Sequence, residues 1–473
     1  MSRRTDARPS SESGEDSLGD PSETVTSSDT PDVLVVGGGL AGCFAALSAA
    51  REHPAAAVEL LVTADRFDRH PGTIDVLGYP DRSTDDDSTA ATEDRQPVET
   101  PLDAVDALPE DHPYRRLGRD RLRTALAVFD DELDYSGARS EHNALVPTHT
   151  GRVRPTARYP DWMAAGLASR DEPMGLVGFE QTPALDAAFL ADRLGERLPY
   201  EVTAVTVEFP GTVTESPTGP VLARALDGDE APSGDVGTPD FDVVEEEPPS
   251  SLTPDEEQGP AREPLVERVR SELALEGRVG FPAVLGETAH QAVRNHLESA
   301  LYAEVFEIPV GPPSVPGRRL ERRLHAALAD AGVAVTSGNL AGFEADDGRI
   351  DRVSLSGGNR AVESVVLATG GLSGPGLVAD RAGVHEPVFD CHVDHPDDRL
   401  AWTEPNLLAN HAFARFGVSV DDELRPLDAT GRPEYENLRA AGRIVGGFDY
   451  DAEHSADGVA LVTGEAAGRW SSP

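Results

Sequence analysis

The chain has 473 residues, 85 acidic against 41 basic and none of them lysine, with a formal charge of −44 spread along its length; this excludes a broad basic surface for nucleic acid. The length exceeds what one core supports, and the charge points to a salt-rich cytoplasm, because about 1 M salt cuts the screening length to roughly 3 Å and removes most self-repulsion. Two cysteines, Cys43 and Cys391, are too few for a disulfide framework or for an iron–sulfur cluster that needs about four thiolates.

Residues 1–30 are rich in Ser, Asp, Glu, Pro and Thr and are expected to be disordered. Arg3-Arg4 is followed by no apolar region, so no export signal is read. No apolar run approaches the ~20 residues of a membrane span. From Asp32 the pattern predicts a strand, a glycine turn and a helix over about 40–52. A second strand, Val58–Val62, completes the start of a βαβ unit. Residues 81–110 read as an acidic loop. Leu122, Leu126, Phe129 and Leu133 take helical spacing over 117–135, and Leu185, Phe189, Leu194 and Leu198 do so over 183–198. Val205, Val207 and Phe209 alternate as in a strand. Residues 226–263 carry prolines, glycines and acidic runs with few apolar anchors, and read as a solvated insertion. A helix is predicted over 317–331, then strands near 333–336, 340–345 and 350–355. Asp346-Asp347-Gly348 joins the last two as a hairpin turn. Ala361–Ala368 forms a further strand.

The first motif is Gly37-x-Gly39-x-x-Gly42, with Gly38 inside it. It follows a strand and opens a helix, the context that separates a nucleotide site from a plain structural turn. Gly37 permits the tight turn, Gly39 admits a phosphate, and Gly42 lets helix and strand pack. The helix N-terminus favours the anion. Cys43, inside this helix, reads as a small buried thiol. The acid that usually binds an adenosine ribose would stand at the end of the second strand. Thr63 stands there, with Asp65 two residues on. A ligand without adenosine needs no acid, so the motif leaves FAD and FMN both open.

The second motif is the strand ending Ala368-Thr369-Gly370-Gly371. A hairpin leading into such a strand is the layout of two-dinucleotide-fold flavoproteins. The third runs from Glu436 through Gly442, Gly446 and Gly447 to Asp449. Flavoproteins of this type place an acid for the ribityl chain after Ala-x-Gly; here Arg443 holds that place and Asp449 lies six residues later. A helix from about Gly458 to Gly468 would aim its positive end at the flavin; the alternative is a packing helix. The fold class read from this order is α/β, a Rossmann-like two-dinucleotide-binding-fold flavoprotein with a second lobe inserted. Its flavin-binding part is 31–80 with 333–473, and its second lobe is 81–332.

The sequence resembles the family of B subunits of the anaerobic glycerol-3-phosphate dehydrogenases. The likeness lies in His112-Pro113-Tyr114 with Leu117-Gly118, and in Pro312-Pro313-Ser314-Val315 with Gly317 and Arg319-Leu320. It continues in Gly376–Ala379 with Arg381, Phe416-Gly417-Val418 with Leu424-Arg425-Pro426, and Ile444–Asp449. The run at Ser455-Ala456-Asp457-Gly458 has fewer glycines than the family would carry there. The resemblance implies a flavoprotein with FMN, next to a FAD-bearing catalytic A subunit and an iron–sulfur C subunit that ties both to the membrane and its quinones. It implies a cytoplasmic, peripheral location and participation in oxidising sn-glycerol 3-phosphate to dihydroxyacetone phosphate. Thr63 and the low cysteine count agree with it.

Arg318, Arg319, Arg322 and Arg323 form a basic cluster at the start of a helix. They could hold a phosphate or make i,i+4 pairs with Glu321 and its neighbours; Arg319, within the family-like stretch, is the phosphate candidate. His70 and Asp75 flank Pro71–Ile74, a loop that related flavoproteins set against the flavin. His112 reads equally as structural. No histidine–carboxylate spacing compels a catalytic assignment, and no metal site is read. Two other readings stand beside the family one: a self-contained FAD oxidoreductase of the fumarate reductase or aspartate oxidase type, and a flavin-free assembly subunit.

Overall fold

A computed structural model describes residues 31–62, 67–81, 95–138, 140–182, 185–211, 217–228, 261–274, 277–355, 358–406 and 409–471. The expectations for 1–30, for most of 226–263, and for Thr63 and Asp65 lie outside the described residues. The elements used below are β1 (Val33–Val36), α1 (Leu40–Glu52), β2 (Val58–Val62), α2 (Arg119–Glu132), β3 (Val153–Thr156) and β4 (Met174–Phe179). There follow β5 (Val202–Val207), β6 (Arg278–Pro282), β7 (Glu304–Ile308), α3 (Val315–Asp330), β8 (Ala334–Ser337), β9 (Ser364–Leu367), β10 (Leu438–Ala440) and α4 (Ala456–Trp470).

Two parallel sheets organise the chain. The first has the order β8-β2-β1-β9-β10, and Val33 of β1 pairs with both Val58 and Ser364. The continuous Val-Leu-Val-Val of β1 is buried throughout, as a strand covered on both faces requires. α1 is buried from Leu40 to Ala49 and so has no solvent face over that span. Its small residues let α4 approach closely. A Cβ on Gly464 or Gly468 of α4 would lie 2.5 Å from Ala41 O or 2.1 Å from Ala45 O. The C-terminal glycine pattern is therefore a packing signal as well as a site signal. Cys43 is buried as expected, and burial, then Glu321, pushes its thiol up to about 12.

The second sheet, β7-β6-β4-β5, is also parallel and has its own apolar core around Val177, Phe281 and Leu297. Of its strands, only β5 falls in a stretch read as strand from sequence. Between β8 and β9 in sequence lies the antiparallel hairpin Leu340–Asp346 with Arg349–Leu355. Asp347 and Gly348 both take positive φ at its turn, as the sequence predicts.

The helices divide differently from the expected boundaries. α2 and α3 lie in the stretch assigned to the second lobe. Yet Leu122, Leu126 and Phe129 of α2 and Leu320, Leu324 and Leu328 of α3 are buried in the core of the first sheet. Helical spacing shows that a face is buried, not against what. Phe189, expected on a buried stripe, is exposed.

The charge gives a first prediction. The melting temperature should rise steeply between roughly 0.1 M and about 1 M KCl, as the screening length falls from about 10 Å to about 3 Å. A flat salt profile by calorimetry would contradict it.

Candidate functional site

The glycine turn after β1 opens on a cavity of about 770 Å³. Gly37 has φ +122°, and a Cβ there would meet Ala368 O at 2.3 Å. At Gly42 a Cβ would lie 1.8 Å from Gly37 O. Both glycines are therefore fixed by backbone contact within the turn. At Gly38 a Cβ would strike the Val62 side chain at 2.5 Å. Gly39 differs, since a Cβ there would meet nothing within 4 Å. It lines the cavity and forms the N-cap of α1, with no side-chain cap and no acid in the first turn. The uncapped amides of such a helix end favour an anion.

Two other glycine turns reach the same cavity. Thr369 and Gly370 come from the end of β9, and Gly442 from the end of β10. Gly370, at φ +89°, also has open space where a Cβ would stand. Thr369 is buried, and its Oγ1 has no hydrogen-bond partner among the described residues. A buried unpaired hydroxyl costs about 1–3 kcal/mol unless a ligand supplies the partner. These are features that a flavin nucleotide fits: open glycine backbone, an orphaned hydroxyl, and a bare helix end.

The other sequence candidates serve packing. Gly371 lies against Arg443 O, Gly446 against Gly417, and Gly447 against Asp111 O. Asp449, read from sequence as a cofactor contact, does not line the cavity; its Oδ1 accepts the Ala452 N–H as the cap of a short helix. Gly458, the other cofactor candidate in this stretch, does not line it either. A Cβ there would lie 2.0 Å from Tyr114 Oη, so the glycine exists to admit that buried ring. Arg319 is no phosphate contact. It is buried, its Nη1 donates to Glu307 Oε2 at 2.7 Å, and its guanidinium stacks on Trp162. Arg318 and Arg322 pair with Asp68 and Glu287. His112 is structural: it caps the helix Pro113–Leu117 and pairs with buried Glu453.

The cavity also gathers polar side chains outside the three glycine motifs. His70, Asp75, Arg154 of β3, His454 and Asp457 of α4 all line it. His70 Nδ1 accepts the Gly72 N–H, which leaves Nε2 to donate to Asp457 Oδ1 at 3.2 Å. Asp457 Oδ2 accepts the Asp75 N–H at 3.1 Å. Arg154 Nε donates to Asp75 Oδ2 at 2.5 Å. Burial raises the Asp75 carboxyl above the usual range, against the pull of Arg154. Burial opposes ionisation of Asp457 as well, but His70 and the Asp75 amide hold it low. His70 and Asp75 were legible as a loop facing the cavity. Arg154 and His454 sit in no pattern that spacing could find.

Burial, then Arg154 and Arg95, lowers His454 from 6.5 to about 4. The folded value lies below the unfolded one, so between those values the unfolded chain binds more protons. Stability therefore falls as pH drops from 6.5 toward about 4, by up to ~1.4 kcal/mol per pH unit from this residue. In His454→Asn that slope should flatten in urea titrations across the window. An unchanged slope would show that His454 titrates normally.

A family model described as an FAD binding domain matches residues 32–459. A protein of Halobacterium salinarum, described as the probable B subunit of an anaerobic glycerol-3-phosphate dehydrogenase, is 42% identical, over 92% of this chain and 96% of its own. The corresponding B subunit from Vibrio cholerae is 27% identical over 91% of this chain and 94% of its own. The E. coli quinol fumarate reductase FrdA chain matches with a TM-score of 0.37 and 8% identity, covering 93% of this chain and 69% of that one. The chain thus belongs to the FAD binding domain family, and within it to the B subunits of the anaerobic glycerol-3-phosphate dehydrogenases.

Proposed function

We propose that the chain is the flavin-carrying B subunit of a glycerol-3-phosphate dehydrogenase complex. It takes part in oxidising sn-glycerol 3-phosphate to dihydroxyacetone phosphate. The observation that carries this is the cavity onto which the uncapped α1 terminus, Gly370 and the orphaned Thr369 hydroxyl converge. Bound there, a flavin supplies an electron acceptor that can also pass electrons on. The chain's own groups would hold it: the α1 amides are suited to its phosphates, and the Thr369 hydroxyl would take a polar atom.

The FMN implied by the family resemblance, with which Thr63 agrees, has no support in the family match, whose description names FAD. FAD is accordingly the flavin proposed. The relatives are themselves named as one subunit of several, which supports partners in one complex. In this reading these are a FAD-bearing A subunit and an iron–sulfur C subunit that links the assembly to quinones. Among the described residues no helix is long and apolar enough to cross a membrane. A peripheral place on the inner membrane face would then come through the partners.

Acid extraction of the chain purified in high salt, followed by chromatography, tests the flavin. FAD in amounts matching the protein is expected. FMN would overturn the choice of flavin, and a flavin-free chain would overturn the reading itself. Deleting the chain should abolish quinone reduction driven by glycerol 3-phosphate in membranes.

A further inference from the structure

We propose that Asp75, Arg154 and His454 form a subsite for the hydroxyl groups and charged end of a small polyol phosphate, so that this chain itself binds substrate. The inference rests on the flavin reading of the cavity. It goes beyond it, because that reading leaves the substrate free to sit wholly on a partner.

Asp75 is 1% exposed, yet it lines the cavity. Its Oδ2 is committed to Arg154, while Oδ1 is buried with no hydrogen-bond partner among the described residues. His454 presents a second such atom. Its Nδ1 is buried with no hydrogen-bond partner among the described residues, 3.9 Å from Asp75 Oδ2 and so beyond hydrogen-bond reach. Two groups on one cavity therefore share a deficit that a ligand hydroxyl would meet. Such a hydroxyl can donate to Asp75 Oδ1, and a second can pair with His454 Nδ1.

The backbone at His454 supports a held geometry. It takes a left-handed conformation at φ +51°, which costs a residue with a Cβ of order 1 kcal/mol or more. Buried neighbours on both sides fix it. Glu453 accepts from His112 at 3.0 Å and from the Asp449 N–H at 3.1 Å, and Ser455 Oγ donates to Glu453 at 2.9 Å. The His454 ring stands edge-on to Tyr79, with centroids 5.0 Å apart. The histidine is thus pinned by contacts that leave its Nδ1 unused. Arg154 adds a fixed cation. Its Nε and Nη2 engage Asp75, leaving the rest of a planar fork suited to phosphate.

The same hydroxyl chemistry is offered by the ribityl chain of the flavin, and one experiment separates the sources. Glycerol 3-phosphate is titrated by calorimetry into the full flavin-loaded chain in high salt, with glycerol and inorganic phosphate as controls. His454→Asn, whose asparagine tolerates the left-handed backbone, and Asp75→Asn are compared. Flavin content and melting temperature are measured on the same samples. The expected result is saturable binding of glycerol 3-phosphate by the wild type. Both variants should weaken it at least tenfold, with flavin content unchanged in His454→Asn. Absence of wild-type binding, or binding unchanged in both variants, would overturn the subsite. Loss of flavin rather than of polyol phosphate in His454→Asn would assign these groups to the ribityl chain and also overturn it. If the wild-type chain holds no flavin, the cavity reading fails separately, and the same titration still decides the subsite.

Discussion

Gly39→Glu should empty the cavity of flavin while leaving the chain folded. Gly39 has ordinary backbone angles, and a Cβ there meets nothing within 4 Å, so the substitution adds no clash in the turn. Its carboxylate would project at the uncapped helix amides, where the proposed flavin's phosphates would lie. A like charge about 4 Å away at an effective dielectric of about 20 costs on the order of 4 kcal/mol. Even half of that exceeds a tenfold loss of affinity. The check is the ratio of flavin to protein absorbance after purification in high salt, together with circular dichroism. Gly39→Ala is the control, since it adds bulk without charge and should retain most of the flavin. Equal flavin content in the glutamate variant would place the phosphate elsewhere.

The second large effect is on stability. Arg319→Ala should destabilise the chain by about 3–5 kcal/mol and leave the flavin content of the folded fraction unchanged. Glu307, 3% exposed, would be left as a buried charge without its cation. Gly286 O, which accepts from Arg319 Nε at 2.9 Å, would lose a donor as well. Replacing both partners with apolar residues, Arg319→Met with Glu307→Leu, should recover much of the loss, because no uncompensated charge remains. Urea denaturation in high salt measures both. A stable Arg319→Ala variant that cannot hold flavin would restore the phosphate role that the structure denies.

How far the sequence reached is clearest at the glycines. Gly37 and Gly42 were assigned a tight turn and a close helix contact, and the backbone distances give the same roles. The second sheet was largely illegible. β4, β6 and β7 are short apolar runs in which period alone cannot tell strand from buried helix. The arginine cluster at 318–323 shows a related limit. Its position at a helix start was visible, but Glu307, Asp68 and Glu287, which bind its members, come from distant stretches of chain.

By itself the sequence determined the nucleotide turn, the hairpin at Asp347-Gly348 and the parallel α/β class. Each rests on local backbone demands: positive φ, close approach, or a continuous apolar strand. Only the tertiary structure decided which candidates meet. Gly39, Thr369, Gly370 and Gly442 share one cavity, while Asp449, Gly458 and Arg319 serve caps and packing. The structure alone also set Asp75, Arg154 and His454 side by side. They lie 79 and 300 positions apart along the chain, reading Arg154 against Asp75 and His454 against Arg154. Contact at such separations is fixed by how the elements pack, and no local preference encodes it.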